Sequence, residues 1–333
     1  MTKKAMDLPI TKQVQSSAEP ELSHYSVMRK EVLEFLSPQP GDKILDCTIG
    51  GAGHASALLA EVGSEGFLWG IERDPRTLEL ATRRLSAVGY PFELIHGNFA
   101  ELAYWADTYQ IPPLDGILMD LGTSIFQLKE GDRGFSLLSD GPLDMRMNPQ
   151  ENTPSAADLV NSLSMNELKQ LFKEFGEERF AGRIARWIVE ERVESPLTRT
   201  RQLADLVAKH IPQRDKIHPA TRIFQALRIA VNQEYKALEE VLPVAVRLLK
   251  PGGKIAVISF HSGEDRRVKQ MFRELSQTCV CPPRQPICTC DTHPLLDRPR
   301  KLQVPGEAEV QENPPSRSAK LRTAYRIEHP IDG

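Results

Sequence analysis

Three carboxylates stand where short apolar runs end: Asp46 after Lys43-Ile-Leu45, Glu72 after Phe67-Leu-Trp-Gly-Ile71, and Asp120 after Gly116-Ile-Leu-Met119. A carboxylate at such an edge can accept hydrogen bonds from a sugar diol or an amino group. Between the first two lies Ile49-Gly-Gly-Ala-Gly53, whose glycines permit positive φ and put no Cβ in the way of a ligand. An acid roughly twenty residues beyond a glycine-rich turn is where nucleotide folds grip ribose hydroxyls, which suits Glu72. Its plainer role would be helix capping, but Asp74 precedes Pro75 as an N-cap precedes an N1 proline. For Asp120 the plainer role is again an N-cap. Phe99, after Gly97-Asn98, suits an adenine face and an apolar core equally.

The elements that must position these groups follow from periodicity. Val32, Leu33, Phe35 and Leu36 mark a helix closed by Ser37-Pro38. Strands are expected at Lys43 to Cys47, Phe67 to Ile71, Phe92 to His96 and Gly116 to Asp120, with helices at His54 to Val62 and Pro75 to Val88. That alternation implies a parallel doubly wound sheet of the α/β class. It stops between about 131 and 219, where the stretches Met165 to Phe175, Arg179 to Val193 and Arg201 to His210 are helical in pattern. It resumes with a long helix over Thr221 to Leu249, the turn Lys250-Pro-Gly-Gly-Lys254 and a strand at Ile255 to Phe260. A late strand is expected around Leu321 to Ile327. The glycine-rich first turn and the late Pro-Gly-Gly turn, in this order, read as one nucleotide-type sheet that binds S-adenosylmethionine, and so as a methyltransferase. Gly51-Ala-Gly53-His-Ala-Ser56 could be a degraded dinucleotide fingerprint, but its third glycine is missing.

The expected organisation is an N-terminal extension at 1–22, a discontinuous cofactor-binding domain at 23–130 and 220–333, and an inserted helical substrate-recognition domain at 131–219. The extension is rich in Lys, Gln, Ser, Glu and Pro, a composition of disorder. The chain has 333 residues, 40% hydrophobic and 26% charged, with a net charge of −3. That balance excludes coating of nucleic acid by bulk charge while allowing a local basic face. No apolar run of membrane-spanning length and no secretory signal is visible, so the expected compartment is the cytoplasm.

Beyond the cofactor motifs, the chain resembles the MraW/RsmH family of S-adenosylmethionine-dependent methyltransferases, a class I (Rossmann-like) fold with an inserted helical domain. The resemblance rests on His24-Tyr-Ser-Val-Met28, Asp46 to His54, Asp115 to Asp120, Arg133-Gly-Phe135, Asp140-Gly-Pro-Leu-Asp-Met-Arg-Met147 and Gly176-Glu-Glu-Arg-Phe-Ala181. It continues through His218-Pro-Ala-Thr-Arg222, Phe224-Gln-Ala226, Ile258-Ser-Phe-His-Ser262, Glu264-Asp-Arg266, Glu312-Asn-Pro314 and Arg317-Ser-Ala-Lys-Leu-Arg322. It implies methylation of N4 of a cytosine in the decoding region of 16S ribosomal RNA, within the small ribosomal subunit. It also implies cofactor contacts at Ala52, Gly53, His54, Glu72, Phe99, Asp120 and Gln127. The run Thr123-Ser-Ile-Phe126 departs from the small residues and proline usual in the family before the glutamine.

Cytosine N4 is a poor nucleophile because its lone pair is delocalised into the ring. An acceptor holding one N4 hydrogen would favour pyramidal geometry, and Asp120 is the candidate for this catalytic role. Such chemistry requires no metal, and none of the site residues is assigned to one. His54 is a cofactor contact by resemblance or a polar surface group. His261 suits a structural hydrogen bond as well as a place near RNA.

Residues 179–228 hold eleven Lys/Arg and five acids. Arg179, Arg183 and Arg186 recur at helical spacing, and with Arg222 they are the candidate RNA contacts. Stretch 298–326 adds seven basic residues against three acids. Cys279, Cys281, Cys288 and Cys290 form two C-x-C pairs, off the C-x₂-C pattern of four-cysteine zinc sites. Zinc, a disulfide and free thiols all stay open. So do a homodimer, a DNA or small-molecule methyltransferase, and a non-catalytic nucleotide-binding regulator.

Overall fold

The computed structural model describes residues 26–124, 127, 128, 130–137, 139–211, 218–282, 285, 287–290 and 292–327. The extension at 1–22, His24 and Tyr25, Ile125 and Phe126, and Arg214 and Lys216 of the basic stretch lie outside the described residues.

After α1 (Arg29–Leu36) the chain alternates through β1 (Lys43–Asp46), α2 (Gly53–Val62), β2 (Phe67–Glu72), α3 (Pro75–Val88), β3 (Phe92–His96), α4 (Leu102–Thr108) and β4 (Leu114–Asp120). The helices α5 (Ala156–Ser162), α6 (Met165–Glu174), α7 (Ala181–Glu194) and α8 (Thr200–His210) follow, with no strand between them among the described residues. Then come α9 (Thr221–Asn232), α10 (Glu234–Leu248), β5 (Leu249–Ser259), α11 (Ser262–Leu275), α12 (Glu307–Glu312) and β6 (Lys320–Tyr325). The strands form one sheet of order β3-β2-β1-β4-β5-β6, parallel except for β6, which runs antiparallel to β5. This is the α/β, Rossmann-like class expected.

Side chains alternate across the sheet because strand periodicity is two. Leu45, Trp69, Ile95, Ile117 and Val257 face a core shared with Leu238, Val241 and Leu242 of α10 and Val268 and Phe272 of α11. Ile44, Leu68, Leu118, Ala256 and Ile258 face the opposite core, with Val32 of α1, Leu58 and Leu59 of α2 and Leu85 of α3. Both faces are covered, as a parallel sheet requires. Local sequence sets the ends: Asp74 accepts from Arg76 N at 3.1 Å with Pro75 behind it, and Gly89 closes α3 in the left-handed conformation.

A third apolar cluster is mostly helical, with Phe135, Leu143, Met145 and Leu197 added from connecting segments. Leu168 and Phe172 of α6, Ile184 and Ile188 of α7, and Leu203 and Val207 of α8 pack with Ala226, Leu227 and Val231 of α9. It therefore extends past the boundary expected at 219.

Two local expectations change. The long helix over Thr221 to Leu249 is two helices, broken at Gln233, which adopts φ 52° and ψ 37°. No glycine or proline announces the break. Tertiary bonds impose it: Asn232 donates to Met145 O at 2.8 Å and accepts from Met147 N at 2.8 Å, while Arg228 reaches across to Glu234. The Lys250-Pro-Gly-Gly turn lies inside β5, where the register with β4 shifts between Leu114 and Gly116. Helices α4, in the crossover from β3 to β4, and α11, between β5 and the antiparallel β6, are unmarked by the sequence reading.

Candidate active site

The strand order reverses between β1 and β4, both of which pair outward from the middle of the sheet. A doubly wound sheet opens a crevice there, outside the carboxyl ends of its strands. A cavity of about 360 Å³ occupies that place, within the range of small-molecule sites. Gly53, His54, Glu72, Phe99, Asp120 and Gln127 all line it. Ala52 does not: it is fully buried beneath α2 as a left-handed N-cap (φ 59°) that turns the chain into the helix.

Glu72 closes β2 and reaches back under the glycine-rich turn. Gly50 N donates to its Oε2 at 2.9 Å and Asp74 N to its Oε1 at 2.8 Å. Burial lifts its pKa to about 7, against the lowering effect of those backbone donors. Each oxygen keeps a lone pair for a ligand hydroxyl. Asp74 thus takes the capping role, as expected, and carries a second task. Its Oδ2 accepts from Arg133 Nη1 at 2.6 Å and from Gln127 Nε2 at 2.9 Å, all three side chains being buried. Gln127 Oε1 in turn accepts from Ser124 N at 3.1 Å, so Ser124 and Gln127 are both tied to the start of α3.

Asp120 ends β4. Its backbone N donates to Thr48 Oγ1 at 2.6 Å, locking the strand end to the first turn. Oδ2 faces His54 Nε2 at 3.6 Å, whereas Oδ1 is buried and has no hydrogen-bond partner among the described residues. A quarter of the side chain is open to the cavity. Burial, reinforced by the charges of Asp46 and Glu264, pushes its carboxyl well above the ordinary range. Asp46 is itself raised to about 6 by burial, against two hydrogen bonds from Thr48.

Two glycines matter locally. Gly122 has φ +103°, which turns the chain away after Asp120. At Gly97 a Cβ would sit 2.3 Å from the Trp105 ring, so only glycine lets α4 close against β3 beside Phe99. Phe99 packs partly against the apolar core, as one of its two readings expected, and also lines the cavity.

The far wall was not read from the sequence. Arg228 pairs with Glu234 through two bonds of 2.9 Å and lies 3.8 Å from Glu264. Glu264 accepts from Phe260 N at 2.8 Å and meets His261 Nε2 at 2.9 Å. Burial alone would raise Glu264, but the His261 bond and the His261 and Arg228 charges outweigh it and hold the group low. His261 is the N-cap of α11, its Nδ1 accepting from Glu264 N at 3.4 Å. Arg228 and Asn232 are four apart on α9, and no motif marks them; they converge with Glu234 only because the chain breaks at Gln233.

Glu72, Asp120, Glu234 and Glu264 line the cavity, and its two guanidiniums are already paired, Arg73 with Glu151 and Arg228 with Glu234, which leaves the acids at the strand tips in excess. Such a wall suits a cationic ligand, and Glu72 and Phe99 suit its nucleoside. A sulfonium nucleoside, S-adenosylmethionine, fits on both counts. The candidate RNA contacts lie elsewhere: Arg179, Arg183, Arg186 and Arg222 are exposed and outside the cavity wall. Arg179 precedes α7 rather than joining its face. Arg186 sits 3.7 Å from Glu190, and Arg183 lies 4.5 Å over the Phe180 ring.

The chain is similar to curated proteins named ribosomal RNA small subunit methyltransferase H. One from Trichlorobacter lovleyi is 50% identical over 314 residues, covering 92% of this chain and 99% of the relative. Another, from Syntrophotalea carbinolica, is 51% identical over 312 residues, covering 91% and 98%. Among solved structures, a SAM-dependent methyltransferase from Aquifex aeolicus covers 90% of each chain at 11% identity and a TM-score of 0.39, too distant to argue from. The model of the MraW methylase family matches residues 21–327. With nearly its whole length inside that match, this chain belongs to the MraW methylase family.

Proposed function

We propose that the protein transfers a methyl group from S-adenosylmethionine to N4 of a cytosine in the decoding region of 16S ribosomal RNA. The observation that carries this assignment is Asp120, whose side chain is a quarter exposed on the wall of the switch-point cavity and whose Oδ1 has no hydrogen-bond partner among the described residues. Relatives of half-identical sequence bear the name of a small-subunit ribosomal RNA methyltransferase, which supports the substrate class. S-adenosylmethionine supplies an electrophilic methyl group on a sulfonium.

The residues supply position and electrostatics. Glu72 accepts the ribose hydroxyls while remaining tied to Gly50 and Asp74. Asp120 accepts one hydrogen of the N4 amino group and so favours a pyramidal nitrogen, and its raised basicity lets it take the proton that the alkylated amine must lose. Holding both reactants in line recovers roughly 7–11 kcal/mol of barrier. The target base leaves its stack to enter the cavity, at a cost of a few kcal/mol, less in a loop. The helical cluster around α6 to α9 is the substrate-recognition region, with Arg179, Arg183, Arg186 and Arg222 on phosphates. No described helix is long and apolar enough to cross a membrane, in keeping with a cytoplasmic enzyme acting on the ribosome.

The test is transfer of labelled methyl to small ribosomal subunits and to naked 16S RNA, with the modified nucleotide mapped. One N4-methylated cytosine is the expected product. Label on DNA or a small molecule would replace the substrate, and no product with any of them would leave a nucleotide-binding regulator.

A further inference from the structure

The four clustered cysteines play no part in the cavity or its chemistry. They lie in the segment after α11, at Cys279, Cys281, Cys288 and Cys290, and none is in a disulfide. Their sulfurs all fall within 4.8 Å of one another. Four of the six separations are 3.6 Å for Cys279–Cys288, 3.9 Å for Cys281–Cys288, 3.4 Å for Cys288–Cys290 and 3.7 Å for Cys279–Cys290. A tetrahedral zinc with bonds of about 2.3 Å requires its sulfurs about 3.8 Å apart. The four sulfurs thus already stand near the corners of such a tetrahedron. A disulfide requires about 2.05 Å, and a multi-iron cluster, whose cysteines bind different metal atoms, would spread them wider.

Two further observations point the same way. Backbone amides aim at sulfur: Val280 N donates to Cys290, Cys281 N to Cys279 and Thr289 N to Cys281, each at 3.4 Å. Such donors stabilise thiolate charge around a metal. Apolar packing, by contrast, does not gather this loop, since Val280 and Ile287 are 60% and 74% exposed. At the base, Leu295 N and Leu296 N both donate to Leu275 O, and Leu296 is buried in the sheet core. The stem is fixed to the domain, while the tip holds four converging thiols and no buried apolar side chain among the described residues.

We propose that Cys279, Cys281, Cys288 and Cys290 bind one structural zinc ion as four thiolates, closing the tip of this loop. The two C-x-C pairs replace the usual C-x₂-C knuckles, each contributing two adjacent corners. With all four corners taken by protein the site is closed, so its role is to order the loop. This assignment is independent of the methylation chemistry.

The test uses the full chain, expressed with zinc in the medium and purified under reducing conditions without chelators. Elemental analysis should give one zinc per chain, and X-ray absorption should show four sulfur neighbours at about 2.3 Å. Cys288→Ser with Cys290→Ser should remove the zinc while leaving the helical circular dichroism intact. Should that variant fail to fold, stepwise mercurial titration of the wild type should release zinc as these thiols are consumed. Zinc-free wild-type protein, an intact mass showing disulfides among these cysteines in reductant, or full zinc retention by the double variant would overturn the proposal.

Discussion

The strand tips and the helical cluster solve opposite problems with charge. At the strand tips, Asp46, Glu72 and Asp120 are held in burial that raises all three carboxyls. Backbone amides and a threonine hydroxyl fix Asp46 and Glu72, and Glu72 and Asp120 stand on the cavity wall, poised for a cationic ligand. In the helical cluster the charged groups are mostly exposed or already committed. Arg192 donates to Val160 O and Leu163 O, at 2.6 and 2.7 Å, and Arg199 pairs with Asp140 at 2.7 Å. A formal excess of positive charge there overstates what is available to phosphate. Buried charge marks chemistry here; exposed charge marks a surface whose use depends on which cations remain unspent.

The sharpest way to break this contrast is at Asp120. Asp120→Ala is expected to abolish methyl transfer, and Asp120→Asn to lower turnover roughly 10²–10⁴-fold, the usual weight of a proton acceptor. Cofactor affinity, measured alongside by calorimetry, separates the loss of turnover from loss of binding. Wild-type turnover in either variant would remove the assigned role.

Next is Arg133, which lies outside the cavity wall and is the only buried arginine or lysine among the described residues. Arg133→Met strands Asp74 and loosens Gln127, so unfolding free energy should fall by about 3–5 kcal/mol, read by chemical denaturation. A change of only a few tenths would show that the pair is not worth what its burial suggests.

A smaller effect is expected from pH. Asp46 and Glu72 have folded-state pKa values above their unfolded ones, at about 6 and about 7. Their contribution to stability is full below the ordinary carboxylate range and is lost as pH rises through those values. The cofactor-free protein should therefore gain stability from these groups between about pH 7 and pH 5. Affinity for the sulfonium should change in the reverse sense, rising with pH, while that for the neutral S-adenosylhomocysteine should rise less. Parallel curves for the two ligands would show that the carboxylates do not sense the charge.

The mildest test lies on the helices. Arg183→Ala should leave stability within about 0.5 kcal/mol and reduce the salt slope of RNA binding by roughly one. An unchanged slope would remove this residue from the RNA surface.

What the sequence disclosed divides along the same line. Strand-end acids and glycine turns are local features, so Glu72, Asp120, Gly53 and the sheet elements were placed from spacing. The Asp74 cap was read from Pro75 alone. Arg228, Asn232, Glu234 and Glu264 were not, because each matters only through partners remote in sequence or across an unannounced break. The four thiols were visible as a cluster, but the spacing rule for knuckles pointed away from the tetrahedral gathering that the backbone produces. Gln127 was assigned by resemblance alone; its tie to Asp74 belongs to three dimensions.

Gln233 has one last implication, for how the chain tolerates insertion and deletion. A single left-handed residue lets Arg228 and Asn232 belong to one helix and Glu234 to the next, yet face the same space. Adding or removing one residue at this elbow would rotate everything beyond it by about 100° and carry Glu234 away from its guanidinium. Point changes at Gln233 should be absorbed, glycine above all, whereas a shift of length by one should not.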